Sequence, residues 1–209
     1  MPTRLFHITH VGNLGPILQA GGLLANSQLQ RQGAAFQDIS YGNIQDRRAR
    51  RVVPCGAGGY LHDYVPFYFA PRSPMLYAIH CGTVSAYQGG QGAILHLVTT
   101  VEAITATDCP YAFTDGHAVM AYADFYDDTD LLEHVIDWEV MRSKYWADTN
   151  DDPNRKCKRQ AEFLVFEQLP WELVQEIGVQ NRAMQQQVHQ VLQTFGDETP
   201  VTVYPDWYY

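Results

Sequence analysis

The chain has 209 residues, 46% hydrophobic and 18% charged, which fits one globular domain with a substantial core and excludes a disordered chain. Its formal net charge is −9, which excludes a surface that grips duplex DNA everywhere but leaves room for a local basic groove. No apolar run reaches the roughly 18 residues of a membrane span, the start MPTRLFHITH carries no export pattern, and Cys55, Cys81, Cys109 and Cys157 lie too far apart for a zinc site or a disulfide framework. A cytoplasmic protein with neither membrane span nor metal is expected.

In chain order, Arg4–Thr9 reads as a strand, and Val11, Leu14, Ile17 and Leu18 then repeat at helical spacing until Gly21-Gly22. Residues 25–65 are polar and glycine-rich without sustained periodicity, so a long loop, functional or partly mobile, is expected. Pro66–Phe69 is a strand, and Ser73-Pro74 supplies an N-cap and first-turn proline for a helix to about Ile79. Ala93–Val101 is apolar enough for a buried central strand. The stretch 108–160 is mixed, with a short helix around Leu131–Ile136 and a polar loop over 147–160. Phe163–Phe166 and Ile177–Val179 are strands. Asn181 caps a helix with Met184, Val188, Val191, Leu192 and Phe195 on one face and Gly196 at its end, and Val201–Tyr204 is an edge strand. The sum is a single α+β domain over 1–209, with a central mixed β core, flanking helices and long loops.

The cations gather in three groups: Arg47, Arg48, Arg50 and Arg51; Arg142 and Lys144; and Arg155, Lys156, Lys158 and Arg159. Each could be a solvated loop. Three further features could carry chemistry, and each also has an ordinary reading. His7-Ile8-Thr9 ends the first strand, where a histidine often just satisfies a hydrogen bond; no second H-x-[S/T] pair exists, so a two-histidine phosphoesterase is excluded. In PFYFAPRSPMLYAI, residues 66–79, aromatics at a strand end are either packing or a slot for a flat heterocycle beside a helix N-terminus. Glu162 opens an internal strand after a cationic loop, where a carboxylate must face a cleft or bear a desolvation cost, unless it is a solvated edge residue.

Together FHIT, FYFAPRSPMLYA and AEFLVF resemble the mono-ADP-ribosyltransferase fold of poly(ADP-ribose) polymerases and diphtheria toxin, with its early His, Tyr-containing strand–helix segment and late Glu. HITHVGNLGPILQAGGLLA, RRARRVV after ISYGNI, PFYFAPRSPMLY and RQAEFLV are similar, over residues 4–170, to the DarT family of DNA ADP-ribosyltransferase toxins. The resemblance implies an NAD-dependent enzyme that modifies thymidine in single-stranded DNA, the toxin of a toxin–antitoxin pair whose macrodomain antitoxin reverses the mark. A monomer is expected.

Carried over by residue, it implies that His7, Ile8 and Thr9 hold the adenine-side ribose of NAD, that Tyr68, Phe69 and Tyr77 frame the nicotinamide, and that Glu162 accepts the 2′-OH of the other ribose. It maps the catalytic arginine onto Arg51, expected to bind NAD phosphate or stabilise the thymine anion, because arginine is a poor proton acceptor. His117 has the intrinsic pKa of a base, though a loop histidine without a role reads the same. The loop before Glu162 would recognise the acceptor through Arg155, Lys156, Lys158 and Arg159, with Tyr145 and Trp146 stacking on bases. Two rivals remain: the same fold acting on protein or RNA, and a non-catalytic single-strand-binding module.

Overall fold

The computed structural model describes residues 2–209. Strand β1 (Arg4–His10) leads through a 3-10 turn into helix α1 (Leu14–Gln19), which stops before Gly21 at φ 71°, a left-handed conformation that glycine adopts without strain. Strand β2 (Gly22–Leu24) and helices α2 (Asn26–Gln32) and α3 (Gly42–Arg48) follow. These helices correct the expectation of one long loop over 25–65. NSQLQRQ and GNIQDRR hold a single apolar residue each, so neither shows the stripe that marks a helix in sequence.

Strand β3 (Tyr64–Tyr68) is followed by α4 (Pro74–His80), where Ser73 Oγ accepts the Leu76 N–H at 3.1 Å as the N-cap. Strand β4 (Ile94–Thr100) is buried at every position. Next come α5 (Val101–Thr105), β5 (Tyr111–His117), the two-residue β6 (Phe125–Tyr126), α6 (Leu132–Val135) and α7 (Trp138–Arg142). The single-turn α8 (Arg155–Lys158) lies inside the expected polar loop and runs into β7 (Ala161–Phe166). Strands β8 (Gln168–Pro170) and β9 (Glu176–Val179), helix α9 (Arg182–Phe195) and strand β10 (Val201–Val203) complete the fold. As its sequence predicts, α9 is capped by Asn181 Oδ1 and ends at Gly196, φ 66°.

The main sheet has the order β10-β9-β4-β1-β3-β7-β5-β6, parallel only between β10 and β9, and β2 pairs with β8 separately. Leu5, Phe67, Leu97, Phe113 and Phe163 fill one side of it, with Val188 and Leu192 of α9 packed into the same core. Two irregularities make room for a site. Strand β1 pairs with β4 over seven positions but with β3 only at Phe6↔Tyr68. Pro66, in the middle of β3, has no N–H to give a neighbour. Between β5 and β7 the register slips, from Phe113↔Phe163 to His117↔Ala161, a bulge of the kind that re-aims side chains.

Candidate active site

A cavity of about 1100 Å³ opens where β1 and β3 part, lined by His7 and Thr9, by Tyr68, by Met75 and Ala78 of α4, and by Arg48, His117 and Glu162. That is more than the roughly 300–1,000 Å³ of ordinary ligand clefts. The bulge in β5 delivers the centre of the site. Thr114 Oγ1 accepts the Glu162 N–H at 3.1 Å and donates to Gly116 O at 2.7 Å, replacing regular ladder pairing. Gly116 also lets α8 approach, since a Cβ there would lie 2.8 Å from Cys157 Sγ. His117 is thereby turned toward Glu162.

The Glu162 side chain is 3% exposed. Arg48 Nη1 donates to its Oε2 at 2.7 Å, His117 Nδ1 lies 3.4 Å from Oε1, and the Ala118 N–H lies 3.3 Å from the same oxygen. Burial alone would raise the carboxyl pKa, but the Arg48 charge and His117 outweigh it and pull it down to about 2. The carboxylate is therefore ionised at neutral pH. Arg48 Nη2 is buried at the same cavity with no hydrogen-bond partner among the described residues. A buried guanidinium nitrogen left open costs free energy unless a bound group fills it.

On the β1 wall, the half-buried His7 ring donates from Nδ1 to Pro66 O at 2.8 Å across the gap between the strands. Burial lowers its pKa to about 4, partly opposed by that bond, so the ring is neutral. Asn13 Nδ2 donates to Thr9 Oγ1 and to Gln37 O, and Asn13 Oδ1 accepts the Gln37 N–H at 2.7 Å. The segment between α2 and α3 is thus tied to β1 beside the cavity. Burial, helped by the Glu162 charge and opposed by Arg48, raises the pKa of the Tyr68 hydroxyl, which stays protonated.

Of the residues expected from sequence, Glu162, His117, His7, Ile8, Thr9, Tyr68 and Lys156 meet at this cavity. The others do not. Phe69 alternates to the opposite side of its strand from Tyr68 and packs edge-on against Trp138 and Phe163 in the core. On α4 the positions Pro74, Met75 and Ala78 face the cavity, which turns Tyr77 outward against Trp146 and Tyr209. Trp146 is 9% exposed and donates to the Tyr209 hydroxyl, so its ring is committed to that cluster, while the exposed Tyr145 lies outside the cavity lining.

In the cationic loop most of the side chains lie away from the cavity. Arg159 is 3% exposed and hydrogen-bonds the carbonyls of Arg72, Val140, Met141 and Ser143. Lys158 pairs with Asp152 and Asp137, whose hydrogen bonds raise its pKa. Arg155 donates to Ser143 Oγ and Tyr145 O. Three of the four cations hold the loop together, and Lys156 alone of them lines the cavity, exposed.

Arg51 does not reach Glu162 either. It donates to Ala123 O at 3.3 Å and lies over the Phe125 ring, outside the cavity lining. Arg48, which sequence reading passed over, takes the place at Glu162. The signal was the cluster RRAR itself, since helix phase decides which of its members turns inward. Asn13 and Asn26 were also missed; Asn26 Oδ1 is another buried atom at the cavity without a hydrogen-bond partner among the described residues.

A family model described as ssDNA thymidine ADP-ribosyltransferase, DarT, matches residues 6–209. A DNA ADP-ribosyl transferase of Thermus aquaticus is 47% identical over 213 residues, covering 100% of this chain and 90% of that protein. The chain belongs to the DarT family. Among solved structures of the family, Thermus sp. 2.9 DarT in complex with ADP-ribosylated ssDNA superposes with a TM-score of 0.92 at 44% identity, covering 100% of this chain and 97% of that one. The same Thermus protein in complex with NAD+ gives 0.87 at 41%, covering 100% and 98%. A DNA ADP-ribosyl transferase–DNA ADP-ribosyl glycohydrolase fusion protein of Thermosipho africanus is 27% identical over 78% of this chain and 38% of its own length. Among the described residues, no group of three or more His, Cys, Asp or Glu is placed to hold a metal ion, and no helix is long and apolar enough to cross a membrane.

Proposed function

We propose that the cavity between β1 and β3 binds NAD with its adenine-side ribose against His7 and Thr9 and its nicotinamide against Tyr68, and that Glu162 directs the transfer. The protein is an NAD-dependent ADP-ribosyltransferase of thymidine in single-stranded DNA, as its family membership states. The observation that carries the residue assignment is the buried, ionised Glu162 held by Arg48 at the cavity.

A carboxylate fixed there accepts the 2′-OH of the nicotinamide-side ribose. When the bond from C1′ to nicotinamide breaks, its electron pair leaves with the nicotinamide and positive charge grows on the sugar. The Glu162 charge stabilises that state more than the ground state, which accelerates the step. A thymine ring nitrogen then bonds C1′ and gives up its proton. With Nδ1–H directed at Glu162, His117 keeps a lone pair on Nε2 to receive that proton. The open Nη2 of Arg48 would meet a thymine carbonyl oxygen as anionic charge develops on it.

The proposed reading is of one domain over 1–209 that acts as a monomer. The Thermosipho fusion supports a partner with DNA ADP-ribosyl glycohydrolase activity, acting as antitoxin to this toxin. The cytoplasm, where NAD and single-stranded DNA meet, is the corresponding compartment. Incubation with NAD and, separately, thymine-containing single strands, thymine-free strands, RNA and protein tests the acceptor by mass spectrometry. Addition of one ADP-ribose to thymine-containing strands alone is expected. Labelling of RNA or protein with no DNA product would overturn it.

A further inference from the structure

We infer that Tyr122 is a stacking platform for a base of the acceptor strand, with Lys156 beside the strand's phosphates. The inference rests on the proposed reading of the cavity. Tyr122 is 62% exposed and lines the cavity mouth, as Lys156 does. The tyrosine stands in a turn of small and apolar residues, Ala118 to Ala123, and this turn is braced on both sides of it. Arg47 Nη2 donates to Val119 O at 3.0 Å and Arg51 Nη2 to Ala123 O at 3.3 Å. Within the turn, the Met120 N–H bonds His117 O at 2.9 Å and the Ala123 N–H bonds Met120 O at 3.1 Å, while the Asp124 N–H bonds Asp115 Oδ1.

Two arginines of a cationic cluster are thus spent holding the backbone that presents one solvent-facing ring. The same turn begins at His117 and Ala118, both against Glu162. Its rigidity therefore fixes the backbone that carries the tyrosine relative to the reacting centre. A flat ring on a fixed backbone at a cavity mouth suits base stacking, which tolerates sequence because every base has a π-face. Lys156 makes no ion pair among the described residues, unlike its neighbour Lys158, so its charge is open to a phosphate.

The test measures binding of a fluorescein-labelled, thymine-containing single strand without NAD, by anisotropy, and then the Michaelis constants for strand and NAD separately. Tyr122→Ala should weaken strand binding and raise the strand Michaelis constant by about fivefold or more, leaving that for NAD within about twofold and the melting temperature unchanged. Tyr122→Phe, which keeps the ring, should behave as the unaltered protein. Unchanged strand affinity in Tyr122→Ala, a Phe variant as weak as the Ala variant, or a parallel rise for NAD would each overturn the inference. If the unaltered protein modifies no strand yet Tyr122→Ala still weakens binding, the reaction reading falls and the platform stands. If turnover is normal and Tyr122→Ala is indistinguishable from it, the platform falls alone.

Discussion

At the scale of single residues, the proposed chemistry and the stability of the fold meet in the buried pair Arg48–Glu162. Removing one member strands the other charge in the interior, which typically costs about 3–5 kcal/mol. Arg48→Ala should therefore lower stability by about that amount in urea unfolding and also collapse turnover; a fully stable, fully active variant would remove Arg48 from the account. Acid acts on the same neighbourhood. Burial holds His7 and His96 at a pKa of about 4, below their ordinary 6.5, so between those values the unfolded chain binds protons that the folded one does not. Glu162 adds the same sign between its ordinary 4.5 and about 2. Stability should be constant with respect to these groups above pH 6.5 and fall as pH drops through 6.5 to 4, further below 4.5. Melting curves from pH 7.5 to 3.5 check this, and a melting temperature that rises on acidification would contradict it. Glu162 was legible in the sequence because an acid heading an internal strand is costly without a purpose. Arg48 was not, because it is the last residue of α3 while Arg51 lies beyond the helix, and α3 has no apolar stripe from which to read where it ends or which side turns inward.

At the scale of elements, the loop ahead of β7 shows how a basic run divides its labour. RKCKR looks uniform in sequence, yet Arg159 satisfies four carbonyls in the interior while Lys156 faces the cavity mouth. Arg159→Met should unfold with a loss of about 3 kcal/mol, since several buried carbonyls lose their donor. Lys156→Ala should stay within about 0.5 kcal/mol of the unaltered protein but bind single strands more weakly and with a shallower salt dependence. Urea titrations together with anisotropy at two salt concentrations separate the two. Equal stability losses in both variants would erase the distinction. The strands β1, β3, β4, β7, β9 and β10 and helix α9 were readable because their apolar spacing or caps are strong. Strand β5 was not, because YAFTDGH carries Thr114, Asp115 and Gly116, the polar bulge that turns His117 inward.

At the scale of the molecule, pairing between residues far apart in sequence builds the site. The strand order β4-β1-β3-β7-β5 brings residues 7, 68, 117 and 162 to one cavity, and no local pattern encodes that order. Resemblance to a family supplied it at the sequence level, through three short blocks in the right sequence. The C-terminal residues close the assembly: Tyr209 packs edge-on against Tyr77, lies under the Arg72 guanidinium at 4.2 Å and is gripped through its backbone by Gln91. Tyr77 and Trp146, expected from the sequence to frame nicotinamide and to stack on bases, pack with Tyr209 in this cluster outside the cavity lining. Tyr209→Ala should lower the melting temperature by several degrees; an unchanged value would show that the cluster is dispensable.

The central claim is that Glu162 acts on NAD while separate residues hold the strand. Single-turnover transfer from NAD to a thymine-containing strand, followed by mass spectrometry alongside strand binding by anisotropy, tests it most directly in Glu162→Ala. The account predicts a fall in transfer rate of about 10²–10³ with strand affinity largely retained. Undiminished transfer, or loss of strand binding equal to the loss of rate, would contradict it.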